Sequence, residues 1–141
     1  MSAPCPCHSG QPYANCCQPI HKGKKRPSPT QLMRARYAAY ALGKVRFIQK
    51  TERANPPLLP KELIERRQSL KQFCQGTQFL GLQILDEAML GSKQATVTFR
   101  ATLLQGGQDA SFTEKSLFEK RNGRWYYILA IVSMSGKENV R

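Results

Sequence analysis

Four of the chain's five cysteines crowd its first seventeen residues: Cys5, Cys7, Cys16 and Cys17, ordered Cys-x-Cys, eight residues, Cys-Cys. Four thiolates are the donor set of a structural zinc ion, a closed tetrahedron with no position left for water or substrate. Pro4 and Pro6 shape a tight turn that brings Cys5 and Cys7 to one side, and Gly10 and Pro12 suit a hairpin that folds back. Cys16 and Cys17 close the shell if they begin a helical turn, because adjacent side chains on a strand point to opposite faces. Two other readings stay open on spacing alone. Two disulfides would require an oxidising compartment, and no apolar run at the N-terminus resembles a secretory signal. A redox or nucleophilic thiol would want a Cys-x-x-Cys pair or a base beside it, and neither is evident. His8 and His21 are substitute ligands, expected instead to be a turn residue and a solvated one. Cys74 stands alone in a helical segment and reads as a buried small hydrophobe.

Such a knuckle needs a body to sit on, and 141 residues leave room for one ordinary domain besides it. Residues 22–30 are basic and punctuated by Pro and Gly, so they read as a linker or a phosphate-contacting arm. A first helix is expected with Thr30 as N-cap, Met33, Tyr37, Tyr40 and Ala41 on its apolar stripe, Arg34 and Arg36 on its flank, and Gly43 at its stop. A short second helix follows from Lys44 to about Thr51. A third opens at Pro60, carries Leu63, Ile64, Leu70 and Phe73, and ends at Gly76. From Gln78 the period becomes two. Leu80, Leu82 and Ile84 alternate in one strand, and residues 86–93 read as a turn. Ala95, Val97, Phe99, Ala101 and Leu103 form one face of a second strand and Thr96, Thr98, Arg100 and Thr102 the other. Gly106-Gly107 and Asn122-Gly123 signal hairpins. Phe112, Glu114, Ser116 and Phe118 share a face of the third strand; Trp125, Tyr127 and Leu129 share one of the fourth. Three helices before four antiparallel strands make an α+β domain, its helices packed into the concave side of a curved sheet as in a cone.

Cys5-Pro6-Cys7, Ser9-Gly10, Tyr13 and Cys16-Cys17 resemble the SEC-C zinc motif, with His8 where that motif usually has Gly. The resemblance implies a knuckle that docks onto proteins or ribosomes and takes no part in catalysis. Leu32-Met33-Arg34-Ala35-Arg36-Tyr37-Ala38-Ala39-Tyr40, the segment around Glu114, Ser116 and Phe118, and Gly123-Arg124-Trp125-Tyr126-Tyr127 are similar to the YchJ family. That family joins an N-terminal SEC-C knuckle to a domain similar to nuclear transport factor 2, a cone-shaped α+β fold. Thr51-Glu52 stands where its members commonly have Thr-Trp, Thr113 where they often have His, and a second knuckle found in many is not seen. The expected division is a knuckle at 1–21, a linker at 22–30, the cone domain at 31–135 and a frayed tail at 136–141.

Arg36, Tyr37, Tyr40, Glu114, Ser116 and Trp125 are the residues whose chemistry the cone interior can bring together. A buried Glu beside a Tyr can act as acid or base, and Arg36 can fix an anion with paired hydrogen bonds. The competing expectation is an Arg36–Glu114 pair that only supports the fold, since buried charges are normally paired. The formal charge of +13 falls to about +11 once four thiolates surround a divalent ion, still strongly basic. Lys22, Lys24, Lys25, Arg26, Arg34, Arg53, Lys61, Arg66, Arg67 and Lys71 are candidates for a face that attracts RNA. No stretch approaches the ~20 apolar residues of a membrane span. The expectation is therefore a cytoplasmic zinc-binding adaptor that docks a protein or the ribosome, then an RNA binder, then a small-molecule or catalytic pocket in the cone.

Overall fold

The computed structural model describes residues 3–135, so the expected tail at 136–141 lies outside the described residues. A 3-10 turn at Tyr13–Asn15 leads into α1 (Gln18–His21), α2 (Pro29–Leu42), α3 (Val45–Lys50) and α4 (Pro60–Gln75). The strands are β1 (Thr77–Met89), β2 (Gln94–Gln105), β3 (Gln108–Asp109), β4 (Phe112–Arg121) and β5 (Arg124–Ser135). They form one antiparallel sheet in the order β1-β2-β4-β5, with the two-residue β3 pairing the end of β2. The α+β class and the helices-then-strands order are as the sequence implies; α1 and β3 are additions.

Helix α2 organises the molecule. Its N-cap is Ser28, not Thr30: the Ser28 hydroxyl accepts from the Gln31 N–H while the Gln31 side chain accepts from the Ser28 N–H, and Pro29 takes the first turn. Gly43 ends the helix in the left-handed region at φ 73°. Leu32, Met33, Ala35, Tyr37, Ala38 and Ala39 are all buried, because α2 touches the knuckle helix α1, helices α3 and α4, and strands β1, β2 and β5. A helix covered on so many sides has no single apolar stripe to read. Helix α4 is the opposite: of the residues the sequence places along it only Leu70 is buried, and Leu63 and Ile64 are exposed.

The inward face of β2 is as expected, Ala95 to Leu103 at alternate positions, all buried. Two strands depart from simple alternation because β-bulges shift their parity. In β1 the register slips between Phe79 and Gly81, so Phe79 faces the helices and Leu80 is exposed. β1 also slips between Ile84 and Asp86 and continues to Met89, shortening the expected turn at 86–93. In β5 a slip separates Tyr127, opposite Phe118, from Leu129, opposite Leu117, so those two no longer share a face. Asn122 and Gly123 both have positive φ, the signature of the expected tight hairpin.

Candidate functional site

The knuckle begins with a bridge between Pro4 and Pro12, and the Cys5 N–H donates to the Gln11 carbonyl across the hairpin. His8 occupies the left-handed turn position at φ 61°, where the motif it resembles has Gly. Its ring packs edge-on to Tyr37 and its Nε2 donates to the Phe79 carbonyl at 3.4 Å, so contacts with the cone domain hold it there. Cys17 is helical and opens α1, the turn that lets adjacent cysteines serve one centre.

The four sulfurs of Cys5, Cys7, Cys16 and Cys17 lie within 4.8 Å of one another. Cys7 and Cys16 are 3.6 Å apart and Cys16 and Cys17 3.9 Å. Four sulfurs bonded at ≈ 2.3 Å to a tetrahedral ion would be about 3.8 Å apart, so the cluster fits a metal ion. All the cysteines are free thiols, which sets the disulfide reading aside. Electrostatics favour a cation too. Hydrogen bonding from Cys17, against burial, pulls Cys7 down to about 4. Burial pushes Cys5 up to about 11, and the bond to Cys7 together with burial pushes Cys17 up as well. One sulfur thus takes the charge and its neighbours resist ionising, a conflict that a divalent ion at the centre removes. Around the sulfurs, the Ser9 hydroxyl lies 3.2 Å from Cys16, and Arg34 Nη1 donates to the Cys7 carbonyl at 3.2 Å with the Cys7 sulfur at 4.0 Å. Arg34 is therefore a second-layer partner of the cluster and not a member of a free basic flank.

His21 is not solvated, as the sequence suggested, but bolts the knuckle to the domain. Its Nε2 donates to the Ala35 carbonyl at 2.7 Å, which leaves Nδ1 to accept from the Tyr13 hydroxyl at 2.7 Å. The ring packs edge-on to Phe47, and burial lowers its basicity. His21→Ala should therefore cost about 1–3 kcal/mol, the penalty of orphaning a buried carbonyl, while leaving metal content unchanged. Urea unfolding with parallel metal analysis measures both.

Inside the cone is a cavity of about 280 Å³. Arg36, Tyr37, Tyr40 and Glu114 line it, as expected; Ser116 and Trp125 do not. The Arg36–Glu114 pair does not form. Arg36, 4% exposed, is not on a flank: Nη2 meets Glu52 at 3.0 Å, and Nη1 donates to the Ile48 carbonyl at 2.9 Å and the Thr51 hydroxyl at 2.8 Å. Glu52 is shared with Arg66 at 2.8 Å. The Arg36 guanidinium also lies over the Tyr127 ring, 4.6 Å from its centroid. Glu114 instead accepts from the Ser116 and Tyr127 hydroxyls and has no ion pair among the described residues. The Tyr37 hydroxyl donates to the Gly81 carbonyl at 2.8 Å and accepts from the Gly81 N–H at 3.1 Å, and burial pushes it up to about 12. It latches the β1 bulge and has no proton to offer a ligand. The sequence does not assign Thr51, Glu52, Arg66 or Tyr127 to the surroundings of Arg36; the Thr51-Glu52 departure from the family pattern is the one signal it offers. Cys74 is half-buried on α4, far from a metal role.

A cysteine-rich knuckle fused to a cone-shaped domain similar to nuclear transport factor 2 defines the class. The model of the YchJ middle domain, described as NTF2-like, matches residues 28–130, and that of the SEC-C motif matches residues 1–19. The chain belongs to the YchJ family. A UPF0225 protein of Actinobacillus succinogenes is 36% identical over 142 residues, covering 99% of this chain and 88% of its own. One from Deinococcus radiodurans is 37% identical over 127 residues, 89% and 86% of the two chains. Among solved structures, a SEC-C motif containing protein from Rhodopseudomonas palustris superposes with a TM-score of 0.73 at 32% identity, covering 92% of this chain and 97% of that one. Another, from Psychrobacter arcticus, gives 0.71 at 26% identity, covering 94% and 84%.

Proposed function

We propose that this protein is a cytoplasmic adaptor in which one zinc ion, held by Cys5, Cys7, Cys16 and Cys17, fixes the shape of a docking surface. The ion does no chemistry on a substrate. The observation that carries this reading is the convergence of four sulfurs, three of them on buried cysteines, beneath an exposed rim of Pro4, His8, Gly10, Gln11, Ala14 and Asn15. Four protein donors complete a tetrahedral shell, which is the pattern of structural and not of catalytic zinc. The partner is a protein or a ribosomal surface. No helix among the described residues is long and apolar enough to cross a membrane. Affinity capture tests the proposal. The wild type and a Gln11→Ala/Asn15→Ala variant should both hold one equivalent of zinc. Only the wild type should retain its partner, identified by mass spectrometry, and Cys16→Ser should lose both. Equal capture by all three would end the docking reading.

A second reading has its own observation: Glu114 faces an aromatic cavity and forms no ion pair among the described residues, while Arg36 and Arg66, which line the same cavity, are both paired with Glu52. The cavity then binds a small apolar molecule carrying an amine. Phenylethylamine is the probe; it should raise the thermal midpoint of the wild type and not of Glu114→Gln, and equal shifts would sink this reading.

A further inference from the structure

We propose that the cleft between α3 and α4 is a binding trough for the backbone of single-stranded RNA. The cleft is about 890 Å³ and is bordered at one end by His21 of the knuckle. Lys44, Arg46, Lys50, Arg67 and Lys71 line it, and no Asp or Glu does among the described residues. All five are exposed, and none forms an ion pair among the described residues. Lys22 lines an adjoining cavity that shares His21 and Lys44, so the positive lining continues toward the knuckle.

This is not the basic face that counting charges suggests. Arg34 is bound to the knuckle, Arg66 to Glu52, and Arg53 lies over the Tyr126 ring and donates to the Lys50 and Glu52 carbonyls. The trough instead joins Arg67 and Lys71 of α4 to three cations of α3 and its N-terminal edge. Arg46/Lys50 and Arg67/Lys71 are both i, i+4 pairs, with partners about 6 Å apart along their helix axes. Gln49 Nε2 donates to the Leu63 carbonyl at 3.0 Å and ties α3 to α4, so the two rows of charge are held in place before anything binds.

The chemistry of the lining chooses among polyanions. A protein partner is anchored by aromatic or aliphatic side chains in desolvated pockets. Here Val45 and Phe47 are buried in the domain, and the remaining lining is polar or charged apart from the half-buried Cys74. A rigid duplex would meet such a concavity only at its rim. A flexible single strand can enter it and set successive phosphates against the cations. Among the described residues no exposed aromatic ring lines the trough, His21 being half-buried and Phe47 buried, so binding should be nearly independent of sequence. Unpaired polynucleotide in a cell is mostly RNA. The proposal does not depend on what the knuckle docks, since the trough's cations belong to the cone domain.

Fluorescence anisotropy of the full metal-loaded chain with labelled RNA of about 12 nucleotides and mixed sequence tests it. Three to five phosphate contacts should give a log–log salt slope of about −2 to −3.5. Arg67→Glu/Lys71→Glu should weaken binding by at least about tenfold. Lys93→Glu/Lys115→Glu makes the same change in net charge on exposed residues outside the trough and should stay within about threefold. Circular dichroism checks that both variants are folded. Equal losses in the two variants would show attraction by net charge alone and overturn the trough. No binding at about 50 mM salt, or tighter binding of polyglutamate or of single-stranded DNA than of RNA, would overturn the assignment to RNA.

Discussion

Stripping the metal from the wild-type chain with a chelator is expected to lower its thermal midpoint by about 10 °C or more. The magnitude follows from what the knuckle does inside the fold. Cys5, Cys7, Cys17 and Ile20 belong to the same buried cluster as Leu32, Ala35, Tyr37 and Phe47 of the cone domain. In isolated finger peptides a structural ion supplies about 10–16 kcal/mol of apparent binding energy, all of it folding energy. Here the sulfurs retain some packing without the ion, so only part of that is lost. A loss of about 3 kcal/mol converts to roughly 10 °C for a chain of this size. Cys17→Ser should reproduce the drop, and Cys74→Ser should not alter metal content, because Cys74 lies outside the cluster. A midpoint unmoved after complete metal removal would show that protein packing alone holds the knuckle.

The knuckle could be read from sequence because its chemistry is local: four donors within a short span constrain their own geometry whatever surrounds them. The cone could be read because β2 alternates cleanly and Asn122-Gly123 fixes one hairpin. The wrong expectations share a cause, which is that they depended on tertiary placement. Arg36 sits on α2 beside residues that do face the core, and nothing in its local pattern says whether a buried guanidinium will choose Glu52 or Glu114. Thr51-Glu52 wins because α3 ends against β5: the Tyr127 N–H donates to the Thr51 carbonyl and the Arg53 N–H to the Tyr127 carbonyl. The parity of β1 and β5 was lost at bulges, which leave no mark in an apolar run. The sequence suggests a solvated His21 because Lys22-Gly23 follows it and opens a basic stretch, while its neighbours in space are Tyr13, Ala35 and Phe47. Arg67 and Lys71 stand among the basic residues that the sequence singles out, but Lys44, Arg46 and Lys50 join them only once α3 packs on α4.

Glu52→Gln is the second change expected to have a large effect, about 3–5 kcal/mol of lost stability. The Glu52 carboxylate takes bonds from Arg36 Nη2 at 3.0 Å and from Arg66 Nε and Nη2 at 2.8 and 3.0 Å. Neutralising it leaves the buried Arg36 with Ile48 and Thr51 as its polar partners and no counter-charge. Arg66 is half-open to water, so Arg66→Gln should cost clearly less than Glu52→Gln. The pH dependence gives a sharper test. Burial alone would raise the Glu52 carboxyl, but the hydrogen bonds and charges of Arg66 and Arg36 outweigh it and hold the group below its ordinary 4.5. A carboxyl lowered by folding contributes its full stabilisation above the unfolded value and loses it as pH falls through the folded one. The wild type should therefore exceed Glu52→Gln by a constant margin from neutral pH down to about 4.5, and the margin should shrink at lower pH. Urea unfolding of the two proteins across that range measures it. A margin that stayed constant well below pH 4 would mean that the glutamine costs stability through packing and that the charge of Glu52 contributes little. The double variant Arg36→Met/Glu52→Leu completes the argument. Removing both charges should recover much of the loss from Glu52→Gln, because the penalty there belongs to the stranded guanidinium and not to the missing attraction.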